Sequence, residues 1–185
     1  MIRVYIRKCG NSYSEQHDTA YRLLFEKTEE LFGCSAGFED ISHTDKGKPY
    51  YTDIPVEFNL SHCRGYAVCA VCGRDEGAVG VDCETIRQFR EASMKRIFSA
   101  DEMVMIRNSD SPDMLCTRLW TLKECYVKYT GTGLAGHMQE RTFSFEGDRV
   151  LSDGELVFLS ITIDDSAVVS LCCDRERSAE FILLP

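Results

Sequence analysis

The sequence predicts an α+β fold, and three observations carry that reading. The runs follow the order β-α-β-β-β-α-α-β-β-β, with strands gathered in blocks rather than alternating strand by helix. The composition, 44% hydrophobic and 28% charged, is that of an ordinary globular protein. A length of 185 residues is enough to bury one sizeable core, or two small lobes that share one.

MIRVYIRK (1–8) alternates and is rich in Val, Ile and Tyr, so it reads as a strand. A helix is expected from Asp18, a plausible N-cap, to Phe32, with Gly33 just past its end. FEDISHT (38–44) reads as a short strand and DKGKPYYTDIP (45–55) as a loop, from its Gly and Pro content. Three strand-like runs follow, VEFNLSH, GYAVCAVCG and GAVGVDCET, with Gly73 to Gly77 predicted as a hairpin connection between the last two. The period then changes. Ile86 to Arg96 reads as helix, and Ser99 with Glu102 forms a capping-box pattern opening another that ends before Ser111-Pro112. A third runs from about Asp113 to Thr130, with Pro112 at its entry and Gly131 and Gly133 closing it. The tail returns to strands in RTFSFEGDRV, LVFLSITI, AVVSLCC and EFILL. YAVCAVC (66–72) and AVVSLCC (167–173) are faintly alike.

Several function classes are excluded or disfavoured. A net charge of −9 argues against a nucleic-acid binder. No apolar run approaches the roughly 18 residues of a membrane helix, and the first residues lack a signal-peptide core, so a cytoplasmic protein is expected. Ten cysteines invite a zinc reading. However, Cys69 and Cys72 sit in an alternating strand whose geometry points them to opposite faces. No second CxxC follows at zinc-ribbon spacing, and the cysteines read as small buried hydrophobes in a reducing compartment. One basic stretch stands out on this acidic chain: residues 87–96 hold Arg87, Arg90, Lys95 and Arg96 against Glu91 alone. That is either a solvated helix face or a docking patch for an acidic partner.

The chemistry concentrates in two places. VGVDCE ends an apolar strand with Asp82 and Glu84 at i and i+2, which share one face of a strand. Converging carboxylates repel unless a cation lies between them, and hard oxygen ligands suit Mg²⁺. In RLWTLKECYVKY, Glu124 and Lys128 stack one helical turn apart, on the side that carries Trp120, the chain's single tryptophan. An inward-facing Glu and Lys need partners such as a metal and phosphate groups.

These residues resemble the signature of 4′-phosphopantetheinyl transferases, (V/I)-G-(V/I)-D-x-E followed by W-(S/T)-x-K-E-(A/S)-x-x-K. The matching positions are Val79, Gly80, Val81, Asp82 and Glu84, then Trp120, Thr121, Lys123, Glu124 and Lys128, with Cys125 in place of Ala or Ser. RIFSADE (96–102) is similar to the family's R-x-F-(S/T)-x-x-E stretch. GKPYYTDIPVEFNLSH (47–62) resembles the G-K-P…F-N-(L/I)-S-H of surfactin-type members, with Cys63 replacing a third Ser.

The resemblance implies two similar α+β halves in one compact unit: residues 1–76 on the coenzyme A side, and 77–185 carrying the metal and catalytic motifs. It implies a monomer. The implied reaction moves the phosphopantetheine arm of coenzyme A onto a serine of an apo acyl or peptidyl carrier protein, with release of 3′,5′-ADP. Mg²⁺ would sit on Asp82 and Glu84, and Glu124 would be a third ligand, the general base, or both. Lys128 would neutralise the leaving phosphate. Lys48, Pro49, Ser61 and His62 carry over as coenzyme A contacts, and Lys123 is either a phosphate contact or a structural ion pair. The first half is shorter than in surfactin-type members, which leaves Arg7, Lys8 and Arg22 as unplaced candidates for the 3′-phosphate. Two other readings of the chain are a non-catalytic binding module of the same fold and a cysteine-rich zinc-binding interaction protein.

Overall fold

The computed structural model describes residues 1–133, 138–174 and 178–185. The chain begins with β1 (Ile2–Lys8) and α1 (Tyr13–Phe32), then β2 (Ile41–His43), β3 (Pro49–Tyr51), β4 (Val56–Cys63) and β5 (Tyr66–Gly73). It continues through β6 (Val79–Thr85), α2 (Glu91–Ile97), α3 (Ala100–Arg107) and α4 (Pro112–Thr130). It ends with β7 (Ser144–Glu146), β8 (Arg149–Leu151), β9 (Leu156–Ile163), β10 (Ala167–Asp174) and β11 (Ala179–Leu184). The expected α+β class is what the structure contains.

Two sheets make the frame, one ordered β11-β1-β5-β4 and the other β6-β10-β9. β1 runs parallel to β11 and antiparallel to β5, so the last strand of the chain joins the sheet of the first. The central strands, β5 and β10, are the two similar stretches seen in the sequence, and each is buried along nearly its whole length. Both faces of each strand are covered, which is why they read as continuous apolar runs. Val68, Ala70 and Cys72 of β5 meet Leu171 and Cys173 of β10 in a core between the sheets. Cys69 and Val71 face the other way, into a core with Leu23 and Leu24 of α1. Likewise Cys172 turns from the central core to one that it shares with Leu119, Leu122 and Cys125 of α4. Cys69 and Cys72 thus face opposite sides, as their spacing predicts.

Several boundaries differ from expectation. α1 starts at Tyr13, not after Asp18, because Ser12 and Glu15 form a capping box nearly two turns earlier. β3 lies inside the predicted loop, paired with β2 from Ile41↔Tyr51 to His43↔Pro49. α2 begins only at Glu91, since Arg90 is extended and residues 86–90 form no helix. The predicted hairpin at Gly73–Gly77 is instead a single 3-10 turn, Arg74–Glu76, that carries the chain from one sheet to the other. β5 already has β1 and β4 on its two edges, so β6 pairs with β10.

One glycine fixes how closely α4 approaches β6. A Cβ on Gly80 would lie 2.0 Å from the Cys125 carbonyl oxygen and 2.4 Å from the Tyr129 amide. Only a residue without a side chain lets the helix backbone rest directly on the strand. Gly80→Ala must lift α4 or bend β6, and it should cost about 1–3 kcal/mol, the range for overpacking a close-packed core. Urea denaturation measures this; an unchanged midpoint would mean that the contact is not tight.

Candidate active site

β4, β6 and α4 bring the chemistry together. Strand geometry puts Asp82 and Glu84 on the same side of β6, and the close seat at Gly80 sets Glu124 and Lys128 of α4 opposite them. With Ser61, His62 and Trp120 they line one open cavity of about 320 Å³. A larger hollow of about 610 Å³ against β8, β9 and Phe181 is lined mainly by apolar side chains and gathers no such set of carboxylates.

The two sheets are stitched at this point by side chains rather than by a backbone ladder. The Val81 amide donates to Asn59 Oδ1 at 2.9 Å, and the Cys83 amide donates to Ser61 Oγ at 3.1 Å. Asn59 and Ser61 occupy alternate positions of β4, so both reach toward the edge of β6 that β10 leaves open. Ser61 Oγ donates in turn to Asp82 Oδ1 at 3.0 Å. Lys128 Nζ donates to Ser61 Oγ at 2.9 Å and to Asp82 Oδ1 at 2.7 Å. The Ser61 hydroxyl, expected to contact coenzyme A, therefore has its hydrogen-bonding capacity taken up inside the protein, holding Asp82 and Lys128 in place.

Trp120 does more than mark the inward face of α4. Its indole Nε1 donates to Glu84 Oε1 at 3.3 Å, and Arg87 Nε lies 3.9 Å from the other oxygen. His62 Nδ1 lies 3.3 Å from Gln16 Oε1, and its ring meets Tyr13 edge-on at 5.0 Å. Burial, then His17 and Lys128, lower the His62 pKa. Neither Gln16 nor Tyr13 carries a motif signal in the sequence; the register of α1 against β4 brings them there.

Burial and the neighbouring Asp82 raise the Glu84 pKa, and the same two causes push Glu124 up to about 7. Asp82 Oδ2 and Glu124 Oε1 are buried with no hydrogen-bond partner. Ionised, such atoms accept only, and leaving them unpaired costs free energy. An all-oxygen donor set with two unpaired acceptors fits a hard divalent cation. Among the described residues, no three Asp, Glu, His or Cys side chains are gathered into a ready-formed cation cage.

Other expected site residues lie elsewhere. Of the two readings of Lys123, the structure holds the ion pair. Lys123 is 1% exposed, pairs with the equally buried Glu102 at 2.9 Å, and donates to the Met138 and Arg141 carbonyls at 2.7 and 2.6 Å. Its place beside Glu124 on the helix turns it away from the cavity, into the core under α3. Lys48 and Pro49 do not line the cavity either: Lys48 Nζ lies 3.4 Å from the Tyr129 carbonyl and 3.4 Å from Glu57 Oε1, at the end of α4. Arg7 pairs with Glu26 at 2.7 Å and Lys8 with Asp164 at 2.7 Å, while Arg22 Nε reaches its own helix's Asp18 carbonyl at 3.5 Å.

The raised Glu124 pKa has a consequence for stability. A group whose folded pKa lies above its unfolded value stabilises the fold below the unfolded pKa, and that contribution is lost as pH rises through the folded one. For Glu124 the window runs from 4.5 to about 7. Glu124→Gln should therefore raise the Tm relative to the parent more at pH 8 than at pH 5. Equal shifts at the two pH values would contradict the burial of a charged Glu124.

Comparisons with known proteins bear on this site. A family model described as the 4′-phosphopantetheinyl transferase superfamily matches residues 78–177, the stretch from β6 through β10. The chain is 30% identical over 145 residues to the 4′-phosphopantetheinyl transferase psf-1 of Bacillus pumilus, covering 74% of this chain and 61% of that protein. It is 30% identical over 169 residues to the 4′-phosphopantetheinyl transferase Sfp of Bacillus subtilis strain 168, covering 86% and 69%. Among solved structures it is similar to the holo-[acyl-carrier-protein] synthase of Thermotoga maritima, at 20% identity and a TM-score of 0.45, over 53% of this chain and 63% of that one. Against three of the curated relatives, the chain spans between 58% and 61% of their length. No helix among the described residues is long and apolar enough to cross a membrane.

Proposed function

Because the chain belongs to the 4′-phosphopantetheinyl transferase superfamily, we propose that it transfers the 4′-phosphopantetheine arm of coenzyme A to a serine of an apo carrier protein. The observation that carries this reading is the convergence of Asp82, Glu84, Glu124 and Lys128 on one cavity. These are the positions that match the family's two motifs.

The serine hydroxyl attacks the pantetheine-side phosphorus of the coenzyme A diphosphate. A new phosphorus–oxygen bond forms, the diphosphate bridge breaks, and 3′,5′-ADP leaves. Both nucleophile and leaving group are oxygens, so positioning and charge neutralisation are the main tasks. Glu124 takes the serine proton. Burial and Asp82 raise its pKa to about 7 in the metal-free protein, which makes it a stronger base than an ordinary carboxylate. Lys128, already held against Asp82 by Ser61, supplies positive charge to the departing phosphate. His62, at the cavity rim, contacts a phosphate oxygen, and Lys48 with Pro49 meets the nucleotide end beside α4. Asp82, Glu84 and Glu124 would hold Mg²⁺, which when bound neutralises charge on the diphosphate. The protein would act as a cytoplasmic monomer whose two sheet-and-helix layers meet at the cavity.

The carrier would dock on residues 87–96. Arg87, Arg90, Lys95 and Arg96 are all exposed there, next to the motif strand, on a chain of net charge −9. Carrier domains are typically acidic, and charge complementarity governs such encounters. Arg87 also leans on Glu84, so Arg90 and Arg96 are the cleaner probes. The double variant Arg90→Glu/Arg96→Glu should raise the carrier KM several-fold with the coenzyme A KM unchanged. Unaltered carrier kinetics would remove the docking assignment.

The reaction itself is tested by mass spectrometry of an apo carrier incubated with coenzyme A, Mg²⁺ and the protein. A gain of one phosphopantetheine is expected, and Asp82→Ala or Glu124→Ala should lower its rate by a hundredfold or more while circular dichroism stays native. No mass gain across acyl and peptidyl carriers would refute the transferase reading. Full activity in either variant would refute the site.

A further inference from the structure

Two cysteines next to this site are placed for a reaction of their own. Cys63 Sγ of β4 lies 3.1 Å from Cys83 Sγ of β6. All ten cysteines are free, and no other pair of thiols is in such contact among the described residues. Cys63 continues the row begun by Asn59 and Ser61: alternate residues of β4 that each reach across to β6. The first two rungs are hydrogen bonds, and the third is a pair of thiols with no backbone ladder beside it. Cys83 sits between Asp82 and Glu84, so whatever moves it moves the carboxylates.

We propose that Cys63 and Cys83 are a site of reversible oxidative modification, forming a disulfide that ties the two sheets together and switches the neighbouring site off. The oxidant is a hydroperoxide. Cys63, at the end of β4 beside the turn and 7% exposed, is the thiol that it reaches, whereas Cys83 is 1% exposed. The Cys63 sulfur attacks the peroxide oxygen, giving a sulfenic acid and releasing an alcohol, or water from hydrogen peroxide. The Cys83 sulfur then displaces the hydroxyl as water and the sulfur–sulfur bond forms. Two thiols lose two electrons and two protons, and the peroxide gains them. A thiol reductant reverses the change.

A disulfide needs a separation of about 2.05 Å. The two sulfurs must close by roughly 1 Å, drawing β6 toward β4 where Asp82 and Glu84 are positioned. Displacements of about that size at a positioned site cost on the order of a hundredfold in rate. The bond itself does not depend on the transferase reading; the switch rests on it.

The test treats the native protein with hydrogen peroxide, then unfolds it in an alkylating agent and maps the thiols by non-reducing peptide mass spectrometry. One cross-linked pair, Cys63 with Cys83, is expected, with loss of two hydrogens from the intact mass. The Tm should rise by roughly 5 °C or more from the added cross-link. Phosphopantetheine transfer should fall at least fivefold and return with reductant. Cys63→Ser, which restores the serine of the family motif, should show no cross-link and no peroxide sensitivity. Both thiols remaining alkylatable, or Cys63 pairing with another cysteine, overturns the proposal. A mapped Cys63–Cys83 bond without a change in rate overturns the switch. If the reduced protein shows no transfer at all, the transferase reading fails, while the mapping still decides the bond.

Discussion

The site depends on how closely α4 can lie on β6. Helix and strand touch backbone to backbone at Gly80, where a single methyl would meet the Cys125 carbonyl and the Tyr129 amide. That contact sets the height of Glu124 and Lys128 above the strand and leaves Asp82 and Glu84, just beyond the glycine, facing them. No side chain of the active set could compensate for a helix held further away. The glycine does as much to position these side chains as the strand and helix that carry them.

A second constraint acts from the opposite side. β6 gives one edge to β10 and has no strand on the other, so its amides at Val81 and Cys83 would be left without partners. Asn59 and Ser61 supply the acceptors and in doing so fix β4 against β6. Ser61 then hands the constraint on to Asp82 and Lys128. The result is a buried polar network in which most members are paired and two carboxylate oxygens are not. Unpaired acceptors next to a raised Glu124 pKa describe a site whose electrostatics are incomplete in the protein alone. The Glu102–Lys123 pair shows the contrast. It is as deeply buried, yet every oxygen and the ammonium are engaged, and it anchors the start of α3 and the Phe143 backbone rather than a ligand.

Much of this was legible in the residues. The i, i+2 spacing of Asp82 and Glu84 and the i, i+4 spacing of Glu124 and Lys128 follow from strand and helix geometry alone, and the structure brings all four to one cavity. The α4 boundaries were readable because Pro112 and Gly131 mark them chemically. Lys123 could not be assigned from its neighbour Glu124, since adjacent helical residues diverge and only the position of Glu102 decides which way the ammonium is satisfied. The Gly73–Gly77 hairpin failed for a similar reason. Turn chemistry marks a reversal, but whether the next strand pairs with the last is decided by which edges are free, and β1 and β4 had taken both. The Asn59 and Ser61 rungs needed the two sheets in place before their purpose could be seen.

The central claim is that Asp82 on the strand and Glu124 on the helix act as one unit, made so by the seat at Gly80. A double-mutant cycle on Mg²⁺ binding in the presence of coenzyme A, read by titration calorimetry with Asp82→Asn, Glu124→Gln and the double variant, tests it directly. The account predicts strong non-additivity: each single change removes most of the affinity and the second removes little more. Independent, additive losses would contradict it.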